Sequence, residues 1–155
     1  MLHAWRVIKR RYRRQAFDGE GARLLGGRWN SPGTAVVYCS ESLALATLEI
    51  LVHLGDRSIL ASYLAFPVDI PDPLVEAIDP ARLPSGWKNF PAPPALQRIG
   101  DDWVKEARTV ALRVPSALVE VESNFLLNPV HRDWSKVRVG RARALSLDPR
   151  LVKRP

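Results

Sequence analysis

Arg28, Tyr38 and Glu49 stand out in the first third of the chain because each sits where its residue type needs a reason. Glu49 lies in a stretch that is otherwise almost wholly apolar, with Leu43, Ala44, Leu45, Ala46, Leu48, Ile50, Leu51, Val52 and Leu54 around it. A carboxylate there costs several kcal/mol of desolvation unless it finds a partner or faces a cleft. Arg28 follows two glycines, where backbone can approach a ligand closely, and its guanidinium can fork onto a phosphate or carboxylate with a geometry lysine cannot copy. Tyr38 ends a β-branched run and offers an aromatic face with a hydroxyl at its tip. Far along the chain, Ser123 and Asn124 add two small hydrogen-bonding side chains at a strand-to-turn junction. Each has a plainer reading: Arg28 and Glu49 can form a buried ion pair, Tyr38 can be core, and Ser123-Asn124 can be a turn.

Several familiar chemistries are absent. Residues 19–24 lack the third glycine of a dinucleotide fingerprint and follow no expected strand. No Walker loop, H-E-x-x-H or G-x-S-x-G elbow occurs. Glu49 and His53, one helical turn apart, supply at most two metal ligands with no evident third.

The elements that must position these residues are legible in outline. Residues 19–33, with five glycines and Pro32, read as a functional loop. Residues 34–39 read as a buried strand. Ser40 offers an N-cap for a helix over 41–54, ended by Gly55, which is apolar on nearly every side and so expected to be largely buried. Residues 58–68 should hold a strand, the proline-rich stretch 67–94 mostly loop, and 94–110 a helix around Leu96, Ile99, Trp103, Val104 and Ala107. Further strands are expected at 109–114, 117–121, 137–139 and 144–147. Helices and strands mix without strict β-α-β alternation, so the class is α+β.

The 155 residues fit one domain, and 46% hydrophobic with 25% charged residues is the balance of a folded chain. No run approaches the ~20 apolar residues of a membrane span, the start has no signal-peptide core, and Cys39 is the only cysteine. A soluble cytoplasmic protein without a cysteine-based zinc site is expected. The net charge of +7 is uneven: residues 1–28 carry eight basic and two acidic side chains, and residues 136–155 seven and one, so both ends are +6 and the middle is −5. Such termini form a basic surface suited to phosphates or an acidic partner.

The run Gly26-Gly27-Arg28-Trp29-Asn30-Ser31-Pro32-Gly33, then Val36-Val37-Tyr38, then Leu43-Ala44-Leu45-Ala46 with Glu49 and His53, resembles the opening half of the RES domain. The upstream stretch 16–22 and the later Ser123-Asn124-Phe125-Leu126-Leu127-Asn128-Pro129 extend the resemblance over almost the whole chain. The resemblance implies an α+β fold related to ADP-ribosyltransferases. It also implies NAD as substrate rather than as resident cofactor, no metal, and an Xre-like helix-turn-helix antitoxin as partner. The family's arginine, tyrosine, glutamate and serine then map onto Arg28, Tyr38, Glu49 and Ser123, with Asn124 able to replace Ser123. Under that reading Glu49 stabilises the oxocarbenium-like ribose as nicotinamide departs, Arg28 grips a phosphate or ribose oxygen, and Tyr38 lies against the nicotinamide ring. Phosphate, water or a protein side chain could accept the ADP-ribose. The run Lys9-Arg10-Arg11-Tyr12-Arg13-Arg14 exceeds what the family pattern asks for. It fits an acidic antitoxin surface, or, under a competing reading of the whole chain, a ribonuclease-type RNA-binding toxin.

Overall fold

The structure is a computed structural model and describes residues 1–152, so Lys153 and Arg154 of the basic C-terminus lie outside the described residues. A mixed sheet runs through it. Strands β1 (Leu2–Lys9), β2 (Val37–Ser40), β3 (Tyr63–Ile70), β4 (Val75–Ala77), β5 (Ala111–Pro115), β6 (Ser123–Leu127) and β7 (Arg138–Val139) take the order β4-β5-β6-β2-β1-β3-β7, and β8 (Arg143–Ala144) also pairs with β3. All neighbours are antiparallel except β4 and β5. The α+β expectation is met, and no helix among the described residues is long and apolar enough to cross a membrane.

Alternation along the strands sorts their side chains between two covered faces. On the front face, helix α2 (Leu43–Leu51) packs Leu43, Ala46 and Ile50 over Trp5, Val7 and Ala65. Helix α3 (Pro94–Glu106) and the loop around Trp29 cover Leu112, Val114 and Leu126. On the back face Ala4, Val37, Cys39, Val68, Ile70, Phe125 and Leu127 form a core closed by Phe17, Leu74, Trp134 and Val137. Short helices α1 (Glu20–Leu25) and α4 (Pro149–Val152) complete the helical set, beside several 3₁₀ turns.

Several boundaries differ from those expected. Helix α2 begins at Leu43, capped by Ser42, whose side chain accepts from the Leu45 N–H; Ser40 is instead the last residue of β2. Nor is α2 buried all round, because Ala44, Leu48 and Val52 face outward. The expected strand over 58–68 starts only at Tyr63, after a 3₁₀ segment Arg57–Ser62. The strand expected at 117–121 does not form: Ser116 accepts from the Leu118 and Val119 N–H groups and turns the chain, so the next strand begins at Ser123. The strand β1, at the heart of the sheet, carried no expectation at all.

Candidate active site

The glycine-rich loop is fastened into place by side chains from elsewhere. Buried Asn30 donates its amide to the Ala22 and Thr34 carbonyls at 2.9 and 3.0 Å. From α3, Gln97 donates to the Gly27 carbonyl at 3.0 Å and Asp101 accepts from the Ser31 N–H at 2.9 Å. Gly26 takes φ +70°, a backbone conformation that favours glycine. At Gly27 a Cβ would lie 2.7 Å from the Tyr38 hydroxyl, so this glycine is what lets loop and tyrosine touch.

That contact settles Tyr38. Its hydroxyl donates to Asn30 Oδ1 at 2.7 Å and accepts from the Trp29 N–H at 3.1 Å. The hydroxyl is thus committed to the loop, and the half-buried ring packs against the cluster of Trp29, Leu96, Leu112 and Leu126. Burial pushes the phenol's pKa well above its ordinary value of 10.0, against the smaller opposing pull of the Trp29 N–H and the Arg28 charge. Tyr38 is therefore neutral at physiological pH.

Arg28 projects from the same loop and is held through one nitrogen only. Its Nη1 donates to the Trp87 and Asn89 carbonyls at 2.8 and 3.1 Å. Among the described residues neither Nε nor Nη2 has a hydrogen-bond partner, and no carboxylate pairs with Arg28. The ion pair with Glu49 is not formed. What remains is an oriented, half-buried cation with its bidentate edge open, the edge that suits phosphate or carboxylate oxygens.

Glu49 reaches from α2 to the front-face row in which Ser40, Asn124 and Val114 lie side by side across β2, β6 and β5. Its Oε1 accepts from Asn124 Nδ2 at 2.7 Å and from Ser116 Oγ at 3.1 Å. The direction of the serine bond is forced. The fully buried Ser116 hydroxyl already accepts from Leu118 N–H at 3.1 Å and Val119 N–H at 3.2 Å, so its proton has only Glu49 to go to. Buried Ser40 donates to Asn124 Oδ1 at 2.7 Å and keeps the amide's N–H side toward the glutamate. Both donors act on Oε1; among the described residues Oε2 has no hydrogen-bond partner. One carboxylate oxygen is tethered and the other is presented.

Of the residues expected to act together, the structure brings Glu49, Asn124, Tyr38 and Arg28 to one face and leaves Ser123 out. Successive strand residues point to opposite faces. Asn124 faces the front with Leu126, while Ser123 faces the back with Phe125, where its hydroxyl accepts from Arg113 Nε at 2.9 Å. A serine does meet Glu49, but it is Ser116, which sequence reasoning missed. The available signal was a serine closing the apolar strand 111–115 just before a turn, a place where its hydroxyl can bond the following N–H groups. His53, one turn beyond Glu49, is exposed and takes no part in the site. Among the described residues no group of three His, Cys, Asp or Glu side chains could hold a metal ion.

Comparison with known proteins bears on what such a site does. A family model described as RES domain matches residues 3–148. A protein named Toxin Res from Photorhabdus laumondii is 38% identical over 151 residues, covering 96% of each chain. Another, named Prs ADP-ribosylating toxin, from a Sphingobium species, is 36% identical over 155 residues and covers 97% of this chain and 96% of its own. Among solved structures, the Mycobacterium tuberculosis MbcT-MbcA toxin-antitoxin complex contains a chain that superposes with TM-score 0.77. It shares 19% identity, covers 93% of this chain and 84% of its own, and so supports the fold.

Proposed function

The chain belongs to the RES domain family, and on that premise we propose that it is the toxin of a toxin–antitoxin pair that cleaves the nicotinamide–ribose bond of NAD and transfers the ADP-ribose. The observation that carries this reading is the carboxylate of Glu49, with Oε1 held by Asn124 and Ser116 and Oε2 left to the substrate. When the C1′–N bond breaks, its electron pair leaves with nicotinamide, which becomes neutral, and positive charge grows on the ribose. A fixed negative oxygen aimed at that ribose stabilises the charge as it develops and needs no reorganisation, because its two donors already hold it in place. Oε2 also accepts from a ribose hydroxyl and orients the ring. Arg28 supplies the opposite pole: its open Nε–Nη2 edge takes an oxygen of the pyrophosphate. The Tyr38 ring, fixed by the loop and neutral, gives nicotinamide a flat apolar wall.

The chemistry draws on these side chains and on NAD as substrate, with no resident cofactor. The acceptor is inorganic phosphate, water or a protein side chain; the Sphingobium relative, named for ADP-ribosylating Prs, supports transfer to a protein. A toxin that spends NAD works in the cytoplasm and is restrained by a partner, which we take to be an Xre-like helix-turn-helix antitoxin. Fold kinship with ADP-ribosyltransferases belongs to the same reading.

The test is to follow free nicotinamide by proton NMR when the purified chain meets NAD, with and without phosphate or cell lysate. Release by the wild type, reduced by a factor of about 10² to 10³ in Glu49→Gln, is the expected outcome, since an electrostatic stabiliser of this kind contributes about 3–4 kcal/mol. No release from the folded protein under any of these conditions sinks the reading.

A further inference from the structure

The arginine-rich segment plays no part in the site described above. It forms a 3₁₀ segment, Arg10–Gln15, kinked at Tyr12, in which every residue is exposed. It leaves the end of β1 and leads to Ala16, which packs with Leu64, Phe66 and Ala142. Ala142 is flanked by Arg141 and Arg143, and the short strands around it run along the outer edge of β3, with Arg143 opposite Ala65 and Arg138 opposite Asp69. The Ala16–Ala142 contact brings two separate basic pieces of sequence to the same edge of the sheet, the 3₁₀ segment on the back side and Arg138 and Arg143, opposite Asp69 and Ala65, turned toward the front. From Arg143 to Arg138 the row spans four residue steps of β3, about 13 Å at ~3.3 Å per residue, and the six-residue 3₁₀ segment is itself about 10 Å long at ~2.0 Å per residue.

None of Lys9, Arg10, Arg11, Arg13, Arg14, Arg138, Arg141 and Arg143 makes an ion pair among the described residues. The nearest carboxylate in register, Asp69, is bonded to His3 at 2.6 Å. Several exposed cations elsewhere are matched, Arg23 with Glu20, Lys88 with Glu120, Arg108 with Glu76 and Glu106, Lys136 with Asp133, whereas Arg57, Arg82, Arg98 and Lys105 make no ion pair among the described residues but are scattered singly along the chain. An open groove of about 490 Å³ lies between Lys9, Arg10 and Arg11 on one side and Ile59 and Ser62 on the other. The surface lies at the β3 edge, with β1 between it and the strand row that Glu49 reaches. It is therefore not the grip for the pyrophosphate of a substrate bound there.

We infer that this stripe binds the phosphate backbone of duplex nucleic acid, independently of base sequence. Its length exceeds any small anion and calls for a polyanion. A protein partner would want an apolar centre within the charged rim, and the stripe offers only Tyr12, Ile59 and Val139, at 43%, 36% and 41% exposure, spread along it. Interfaces with nucleic acid are instead dominated by positive charge. The guanidinium fork matches phosphate oxygens, and the glutamate site on the front face stays open while the stripe is occupied.

The experiment measures anisotropy of a fluorescein-labelled DNA duplex of about 20 base pairs, mixed with the full chain over a salt series. The expected result is binding whose log K falls linearly with log salt and does not change with base sequence. Arg10→Gln/Arg13→Gln/Arg14→Gln should weaken it at least tenfold at low salt and reduce the slope by about 2 to 3, because each phosphate that is no longer neutralised takes about 0.9 from the slope. Arg138→Gln/Arg141→Gln/Arg143→Gln should act in the same direction. Because these six side chains make no ion pair among the described residues, both variants should keep the wild-type circular dichroism spectrum and melting temperature. The inference is overturned if the duplex does not bind, if both folded variants bind like wild type, or if polyglutamate of equal charge competes with DNA on equal terms.

Discussion

At the scale of single residues, the asymmetry of the Glu49 carboxylate is what distinguishes a working glutamate from a buried ion pair. Two donors converge on one oxygen, and each is worth about 2 kcal/mol when the acceptor is charged. Removing either should therefore lower nicotinamide release by roughly thirtyfold, with Ser116→Ala and Asn124→Ala as the variants and nicotinamide NMR as the assay. Ser123→Ala is the contrasting control. Its hydroxyl faces Arg113 on the other side of the sheet, so its activity should stay within about twofold of wild type, in keeping with a change far from the chemistry. Equal losses from Ser116→Ala and Ser123→Ala would contradict the placement of the two serines. Cys39 makes the opposite case: burial pushes its thiol up to about 12, so it is neutral and inert despite lying next to Tyr38 in sequence. It should resist a thiol reagent in the folded protein and react once the chain is unfolded.

At the scale of elements, the site depends on how closely α3 approaches the loop that carries Arg28. The approach is made at Gly100, where a Cβ would sit 1.7 Å from the Trp29 carbonyl oxygen. That oxygen is backbone and cannot rotate away, so Gly100→Ala forces helix and loop apart. A destabilisation of about 3 kcal/mol or more is expected, visible as a melting temperature lowered by roughly 10 °C. An unchanged melting curve would mean that the loop has room the packing does not show. The same packing explains where helix expectation and helix differ. An apolar composition on every side says that a helix can be buried all round, but α2 has only the sheet beneath it, so Ala44, Leu48 and Val52 are left outside. The central strand β1 was hard to see for the converse reason. Its two faces are both covered, so Leu2, Ala4 and Ile8 alternate with Trp5 and Val7 and no polar period marks them out.

At the scale of the whole molecule, two neighbouring acids, the half-buried Tyr38 and the buried Cys39, set an alkaline limit to stability. In the folded protein burial keeps both protonated above their ordinary values of 10.0 and 9.0. Between about pH 9 and pH 12 the unfolded chain has released protons that the folded chain still holds, so raising the pH favours unfolding. The stabilisation is complete below pH 9 and is lost as the pH rises through the folded values. Melting temperature should accordingly fall from about pH 9 upward, and Cys39→Ala should flatten the fall at its start. A wild-type curve that stays level to about pH 11 would contradict this.

Read alone, the sequence determined what depends on near neighbours and residue type. The glycines before Arg28, the strand at Tyr38, the isolated carboxylate of Glu49, the α+β class and the family all follow from local patterns, and the elements that carry these residues lie within a few residues of where they were expected. The tertiary structure alone decided what depends on the parity of a strand and on contacts between distant segments. Ser123 and Asn124 are adjacent in sequence yet face opposite sides of the sheet, and the serine that meets Glu49 is 67 residues from it. The commitment of the Tyr38 hydroxyl to Asn30, and the meeting of the segments around residues 10–16 and 138–143 at one edge of the sheet, have the same origin. Hydrogen bonds and charge patches are made by atoms that meet in space, and the spacing of residues along the chain places no constraint on which of them will meet once the sheet has twisted the strands into register.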